Sequence, residues 1–375
     1  MPNYRRGAPR ADGRNASVVT ASVMAHSFAQ PREVLERAIA QRAFPSAVIE
    51  VGSATRPLWQ EAFGTLSFDT GARPASLDTI YDLASLTKVL ASAPLAMRSV
   101  ERGPLALDDP LAAHVAGWRG DDRAPVTVRD LLLHCSGLPA HRPFYLEHQG
   151  RNAIEEAICA TPLEYGPRTR SVYSDLGFML LGFMLAESGS FADRFDAFKR
   201  QTGSAEDLQF HPPAVWLTRT APTHHDPWRG RLLLGEVDDE NAWALGGAAG
   251  HAGLFGTARA VGDQARHLLQ VLGGRVGAFR SETATLFVTR DQRIPGSSRA
   301  LGWDTMLPTS SCGTRISTRA FGHTGFTGTS LWIDPDREVY VVLLTNRVHP
   351  TRANDAIASV RPAVHDAVFA SLDVR

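Results

Sequence analysis

Cysteine is scarce in this chain. Cys135, Cys159 and Cys312 are odd in number and far apart in 375 residues. Neither a disulfide framework nor a cysteine-based metal spacing can be drawn from them, and as reduced thiols they point to a cytoplasmic setting. An excess of charge is missing as well: 39 basic residues balance 39 acidic ones. That removes the electrostatic case for nucleic acid or an anionic membrane as a partner. No run approaches the ~20 apolar residues of a membrane span. There is no internal repeat, no Gly-x-Ser-x-Gly and no His-Glu-x-x-His, and the glycine-dense stretch 246–256 lacks a Gly-Lys-Ser/Thr ending. His224, His225 and Asp226 sit together, but in a proline-rich segment without a metal-ligand pattern. No metal and no cofactor is therefore expected. With 43% hydrophobic residues, the composition is that of a soluble globular enzyme or binding protein with a sizeable core; it leaves the oligomeric state open.

Residues 1–28 carry Arg5, Arg6, Arg10 and Arg14, then only Val18, Val19, Val23 and Met24 among small polar residues. That is too weak for the apolar core of a signal peptide. The stretch reads as a disordered extension, with Met24 a second candidate start. Pro31 to Phe44 reads as a helix, and Ala47–Gly52 and Pro57–Leu66 as two strands joined by a polar turn. Thr127 to Asp130 has the form of a capping box. Leu176–Leu185 is an uncharged, buried helix, and 204–230 is irregular. Thr257 caps a helix to Leu272. Gly302–Leu307, Ala320–Ile333 and Glu338–Asn346 read as strands, and Thr351–Leu372 as a closing helix. Strands at both ends around helices in the middle imply an α+β fold. The sheet region covers about 29–105 and 245–375, and an inserted helical region about 106–244, as one domain over 29–375.

One short stretch stands out within this frame. Leu83, Leu86, Leu90, Ala93 and Met97 follow helical spacing, with Pro94 expected to kink the helix. Between Leu83 and Met97 the one charged residue is Lys88. Ser85 lies three residues earlier, one turn away on the same face. A hydroxyl beside a desolvated lysine has the makings of an activated nucleophile. Two further polar stations lie downstream, Tyr173-Ser174-Asp175 and His323-Thr324-Gly325.

Ser85-Leu86-Thr87-Lys88, Tyr173-Ser174-Asp175 and His323-Thr324-Gly325, in this order, resemble the Ser-x-x-Lys, Tyr-x-Asn and Lys/His-Thr-Gly motifs of the serine β-lactamase and penicillin-binding-protein superfamily. The likeness is to its class C-like branch of DD-peptidases and esterases. Flanking segments at 126–139, 173–182 and 246–257 are similar too, so the resemblance spans about 44–346. It implies an antiparallel sheet flanked by helices, an all-helical region beside it and the site in the cleft between. It also implies an acyl-enzyme on Ser85, with Lys88 and Tyr173 moving protons. The backbone amides of Ser85 and Phe326 would form the oxyanion hole, and Asp175, His323, Thr324 and Gly325 would contact a small ester or a D-amino-acid peptide. His251 would either line the cleft or support the backbone.

Two departures bear on the substrate. Asp175 stands where the family usually has asparagine, and His323 where true β-lactamases have lysine. A neutral imidazole and an added carboxylate predict that neutral short-chain esters are handled better than anionic penicillins. Two rival outcomes stay open at this level: a penicillin-binding protein or sensor that acylates without turnover, and a true class C-like β-lactamase.

Overall fold

The computed structural model describes residues 28–187, 189–202 and 206–373. The expected N-terminal extension lies outside them except for Phe28, which is buried and stacks on Trp59 at 5.0 Å between ring centroids. The fold is α+β. Its main sheet has six strands: β1 (Ser46–Ser53), β2 (Pro57–Gly64), β3 (Asp304–Thr305), β4 (Phe321–Thr324), β5 (Ser330–Asp334) and β6 (Val339–Thr345), in the order β2-β1-β6-β5-β4-β3. Every pairing is antiparallel. β1 from near one end of the described chain pairs with β6 from near the other, from Ala47 opposite Thr345 to Ser53 opposite Val339.

Both faces of this sheet are covered, which explains why β6 is apolar at nearly every position. Val339, Val341 and Leu343 point into one core with Phe28, Leu35, Trp59, Val364 and Phe369. Val342 and Leu344 point into the other with Leu86, Leu90, Phe178 and Leu269. This is the period of two expected of a strand, and each such side chain stabilises the fold by roughly 1.5–3 kcal/mol when fully buried. Helices α1 (Ala29–Ala40) and α5 (Ile357–Asp373) pack on the first face, and α4 (Ala258–Leu272) on the second. Between β2 and β3 the chain builds the helical part, including α2 (Ala93–Arg102) and the apolar α3 (Asp175–Ala186).

Three local readings differ from the structure. The segment around Ser85 is not one helix from Leu83: Tyr81–Asp82 is a short strand, Leu83-Ala84-Ser85 is a turn, and the helical winding begins at Leu86. Lys88–Ser92 then forms a π-helical turn that leads into α2, with Pro94 in its first turn. Widening the helix there accommodates a proline that lacks an N–H, so Pro94 ends up where prolines are tolerated. Second, Ala320–Ile333 is two strands rather than one, because the chain reverses through Gly325 and Gly328, the latter at φ +116°. Third, the irregular stretch 204–230 contains, in its described part, the short strand Leu208–Phe210 and a 3-10 helix over Ala214–Arg219. By contrast Thr127 and Asp130 make the expected capping box, and Thr257 caps α4. No helix of the described residues is long and apolar enough to cross a membrane.

Candidate active site

The turn before Ser85 is held from several sides. Ala84 adopts φ +47°, a left-handed conformation that costs a residue with a Cβ about 1 kcal/mol or more. The buried carboxylate of Asp82 fixes it, accepting the Ala84 N–H at 2.8 Å and the Asp238 N–H at 2.7 Å. Burial, and then the charge of Asp238, push the Asp82 carboxyl up to about 7. Thr327 Oγ1 donates to the Asp82 carbonyl at 2.7 Å and Thr329 Oγ1 to the Leu83 carbonyl at 3.0 Å. Gly325 is needed at this seam: a Cβ there would lie 2.6 Å from the Leu83 carbonyl oxygen and 2.1 Å from Thr329 Oγ1. The backbone leading into Ser85 and the backbone leading into Phe326 are thus stitched together. Among the described residues neither the Ser85 nor the Phe326 amide donates to another group of the chain.

The first turn of helix then places Lys88 Nζ 3.0 Å from Ser85 Oγ. Tyr173 OH approaches the same oxygen from the other side at 2.8 Å. Tyr173 precedes α3, whose start is capped by Ser174 accepting the Gly177 N–H. This helix lies directly on the glycine-rich stretch, where a Cβ at Gly182 would come within 2.7 Å of the Gly250 nitrogen. The close approach carries the His251 carbonyl to 3.1 Å from Lys88 Nζ. His251 supports Lys88 through its backbone, while its imidazole is buried against Asp239 at 2.9 Å.

Asp175 occupies a different place from the one its motif suggested. It lies 2.7 Å from Lys88 Nζ, as a carboxylate one-fifth exposed beside a fully buried ammonium. Burial works against the charge on Lys88, but the Asp175 carboxylate and Tyr173 together outweigh it and the net shift is upward. At neutral pH Lys88 is therefore an ammonium. Burial raises the Tyr173 phenol, and the Lys88 ammonium opposes that rise only in part. The resting state is Ser–OH, Tyr–OH and a Lys⁺–Asp⁻ pair.

Ser85, Tyr173, Arg299, Asp304, His323, Thr324 and Phe326 line a cleft of about 250 Å³. Burial, and then the charges of Lys88 and Arg299, hold the His323 imidazole well below its ordinary range, so it is neutral. Its Nδ1 donates to the Thr324 carbonyl at 2.7 Å, which leaves Nε2 as a bare acceptor. Phe326 is half exposed at the cleft wall, with the Arg347 guanidinium 4.4 Å from its ring centroid.

Four contributors went unassigned in the sequence. Asp82 is one. His134 is another: its Nδ1 accepts the Ser174 N–H at 3.1 Å, and its neutral ring packs on Tyr173 at 4.7 Å and Phe178 at 5.0 Å. The others are Arg299 and Asp304. Arg299 lies 5.3 Å from the Tyr173 ring centroid and 3.9 Å from Asp304. Among the described residues, no acceptor lies within hydrogen-bond distance of its guanidinium. The field expected from the sequence is changed accordingly. Asp175 Oδ1 is paired with Lys88, and Arg299 supplies a positive charge that residue spacing could not reveal. His224 and Asp226 do approach Glu240, their ligand atoms all within 4.8 Å of one another. They are engaged by Asp238, Arg229 and Arg352 in an ionic network that does not line the cleft.

Comparison with known proteins fits this geometry. The Beta-lactamase family model matches residues 31–364. A protein of Escherichia coli K12 named "Putative D-alanyl-D-alanine carboxypeptidase" is 32% identical over 311 residues, 73% of this chain and 70% of its own. Among solved structures, the hydrolase EstCE1, described as having promiscuous acyltransferase activity, superposes with a TM-score of 0.72 at 20% identity. It covers 94% of this chain and 100% of its own. A penicillin-binding-protein homologue from Caulobacter crescentus gives 0.72 at 20% identity, over 92% and 97%. At that identity the two structures speak for the fold alone.

Proposed function

Because this chain belongs to the beta-lactamase family and is a serine hydrolase, we propose that it removes the C-terminal residue from D-alanyl-D-alanine-type peptides through an acyl-enzyme on Ser85. The observation that carries this reading is Arg299, a guanidinium without a hydrogen-bond acceptor of its own, in the cleft wall beside Tyr173 and Ser85. A planar guanidinium is suited to bidentate recognition of a carboxylate. A carboxypeptidase substrate brings one; a simple ester does not. The names of the E. coli and Salmonella relatives support the same substrate class.

The chemistry follows from the contacts. In the reactive form Tyr173 has given its own proton to solvent; Ser85 Oγ then adds to the carbonyl carbon of the scissile bond, and its proton passes to the Tyr173 phenolate. The Lys88 ammonium stabilises negative charge on that oxygen. Charge building on the carbonyl oxygen is met by the amides of Ser85 and Phe326. The C–N bond then breaks, and Tyr173 returns the proton to the leaving nitrogen. Water, activated by the same tyrosine, releases the acyl group and restores Ser85. Gly325 keeps the two amides together, Thr324 offers a polar contact to the substrate, and Asp175 keeps Lys88 charged.

The test is release of D-alanine from an N-acylated D-Ala-D-Ala peptide, compared with the same peptide amidated at its C-terminus. The free acid should be cleaved with the higher kcat/KM. Arg299→Ala should lose on the order of 10-fold or more on the acid, the value of a charged hydrogen bond, and little on the amide. Equal rates on acid and amide, or hydrolysis of esters only, would refute the carboxypeptidase reading.

A further inference from the structure

The cleft holds two opposite charges that form only a long ion pair, without a hydrogen bond. Arg299 Nη1 lies 3.9 Å from Asp304 Oδ1, beyond hydrogen-bond distance, and their side chains are 19% and 26% exposed. Asp304 Oδ1 accepts the adjacent Thr305 N–H at 3.0 Å. Among the described residues Oδ2 accepts no hydrogen bond. Lys88, the other cation at the site, is already paired with Asp175, and His323 and His134 are neutral. The cleft wall beside Tyr173 is therefore dipolar rather than simply positive.

That arrangement has a consequence for selectivity. A leaving residue whose only charge is its carboxylate gains the attraction of Arg299 but sits close to the Asp304 carboxylate, whose Oδ2 accepts no hydrogen bond among the described residues. Like charges at such separations repel by amounts that reach several-fold in affinity even near a surface. The leaving nitrogen does not offset this, because it is committed to Ser85 and Tyr173. A second positive group on the leaving side chain would.

Resting on the carboxypeptidase reading, we infer that Asp304 is a specificity-determining residue for the leaving group. The preferred substrate ends in a D-amino acid with a basic side chain, such as D-lysine or a diamino acid, rather than in D-alanine. Arg299 takes the carboxylate and Asp304 the side-chain ammonium. The acyl half of the substrate and the chemistry at Ser85 are the same for all leaving groups, so selectivity is expressed as a ratio of kcat/KM values.

The experiment uses the full-length protein and three N-acylated peptides ending in D-alanine, D-norleucine and D-lysine. D-norleucine matches the length of lysine without its charge. The D-lysine peptide should be cleaved about 3- to 10-fold more efficiently than the D-norleucine peptide. Asp304→Asn keeps an acceptor for the Thr305 N–H and should bring that ratio to about one, and Asp304→Glu should retain a preference for D-lysine. A ratio taken within one preparation is independent of how much of it is folded. The parent's own comparison of D-lysine with D-norleucine decides the matter even should the variants not fold. Equal cleavage of the two by the parent, or a ratio unchanged in Asp304→Asn, overturns the inference while leaving the carboxypeptidase reading intact. Failure of all three peptides alongside turnover of an ester overturns both.

Discussion

Asp175→Asn probes the most consequential contact of the site. Lys88 is completely buried and its charge is held there by one carboxylate at 2.7 Å. Removing one partner of a buried ion pair costs about 3–5 kcal/mol. Asp175 is one-fifth exposed and asparagine still accepts a hydrogen bond, so the lower end, about 3 kcal/mol, is expected. Unfolding entropy of about 2.1 cal/mol/K per residue makes this a fall of roughly 4 °C in Tm for a chain of this size. The pH dependence carries a sign. In the parent, Lys88 is raised above its unfolded value, so the pair's contribution is fully present below ~10.4 and is lost as pH rises through the folded value. In the variant, burial becomes the dominant influence and lowers Lys88. Its folded form then prefers to be neutral, and stability rises with pH up to the unfolded value. Differential scanning calorimetry at pH 6, 7.5 and 9 should therefore show the gap between parent and variant closing as pH increases. In parallel, the alkaline limb of kcat/KM should move to lower pH, because Asp175 holds Lys88 as the ammonium that supports the Tyr173 phenolate. A gap that is constant across this range, or a variant as stable as the parent at pH 6, would refute the assignment of Lys88 as a carboxylate-dependent ammonium.

Tyr173→Phe removes the hydroxyl 2.8 Å from Ser85 Oγ and should lower kcat/KM by on the order of 10²–10⁴ on peptide and ester alike. Rates within a few-fold of the parent on two unrelated substrates would reduce Tyr173 to a packing residue. Asp82→Asn presents an amide N–H to one of the two backbone donors that Asp82 now accepts. It should lower kcat by roughly 10-fold or more with KM little changed, the signature of a positioning residue. The same substitution should abolish a fall in stability between pH ~4 and ~7 in the parent, because Asp82 is raised in the fold to about 7 and binds its proton more tightly there than in the unfolded chain. A parent whose stability rises through that window would contradict the burial of Asp82.

The parts of the site legible in the sequence are those whose meaning is local. Ser85 and Lys88 belong to one helical turn, so their spacing alone predicts the 3.0 Å contact. The apolar run after Asp175 announces a buried helix that carries Tyr173 inward. What was misread has a physical reason as well. The leucine spacing from Leu83 continues through a strand and a turn without a break, and periodicity cannot report that Ala84 is forced to φ +47° by a carboxylate two residues earlier. The reversal inside 320–333 depends on Gly325 meeting Leu83, a contact across some 240 positions. Arg299, Asp304 and His134 were illegible for the same cause. Each is an isolated polar residue, and its role comes from what the fold brings against it.

The charge pattern of the assembled site also changes what the two departures from the family motif mean. Taken by themselves, a histidine for lysine and an aspartate for asparagine subtract positive charge from the substrate's side of the cleft. In three dimensions the aspartate is cancelled by Lys88 and the histidine is neutral because it is buried. The charged side chains that line the cleft are thus Arg299 and Asp304. On the proposed reading, catalytic charge and recognition charge are separated: the Lys88–Asp175 pair tunes the proton carried by Tyr173, and the Arg299–Asp304 pair selects what departs. The separation has a measurable consequence, because substitutions in the first pair should shift the pH profile without altering leaving-group ratios. Substitutions in the second should alter those ratios without moving the pH profile.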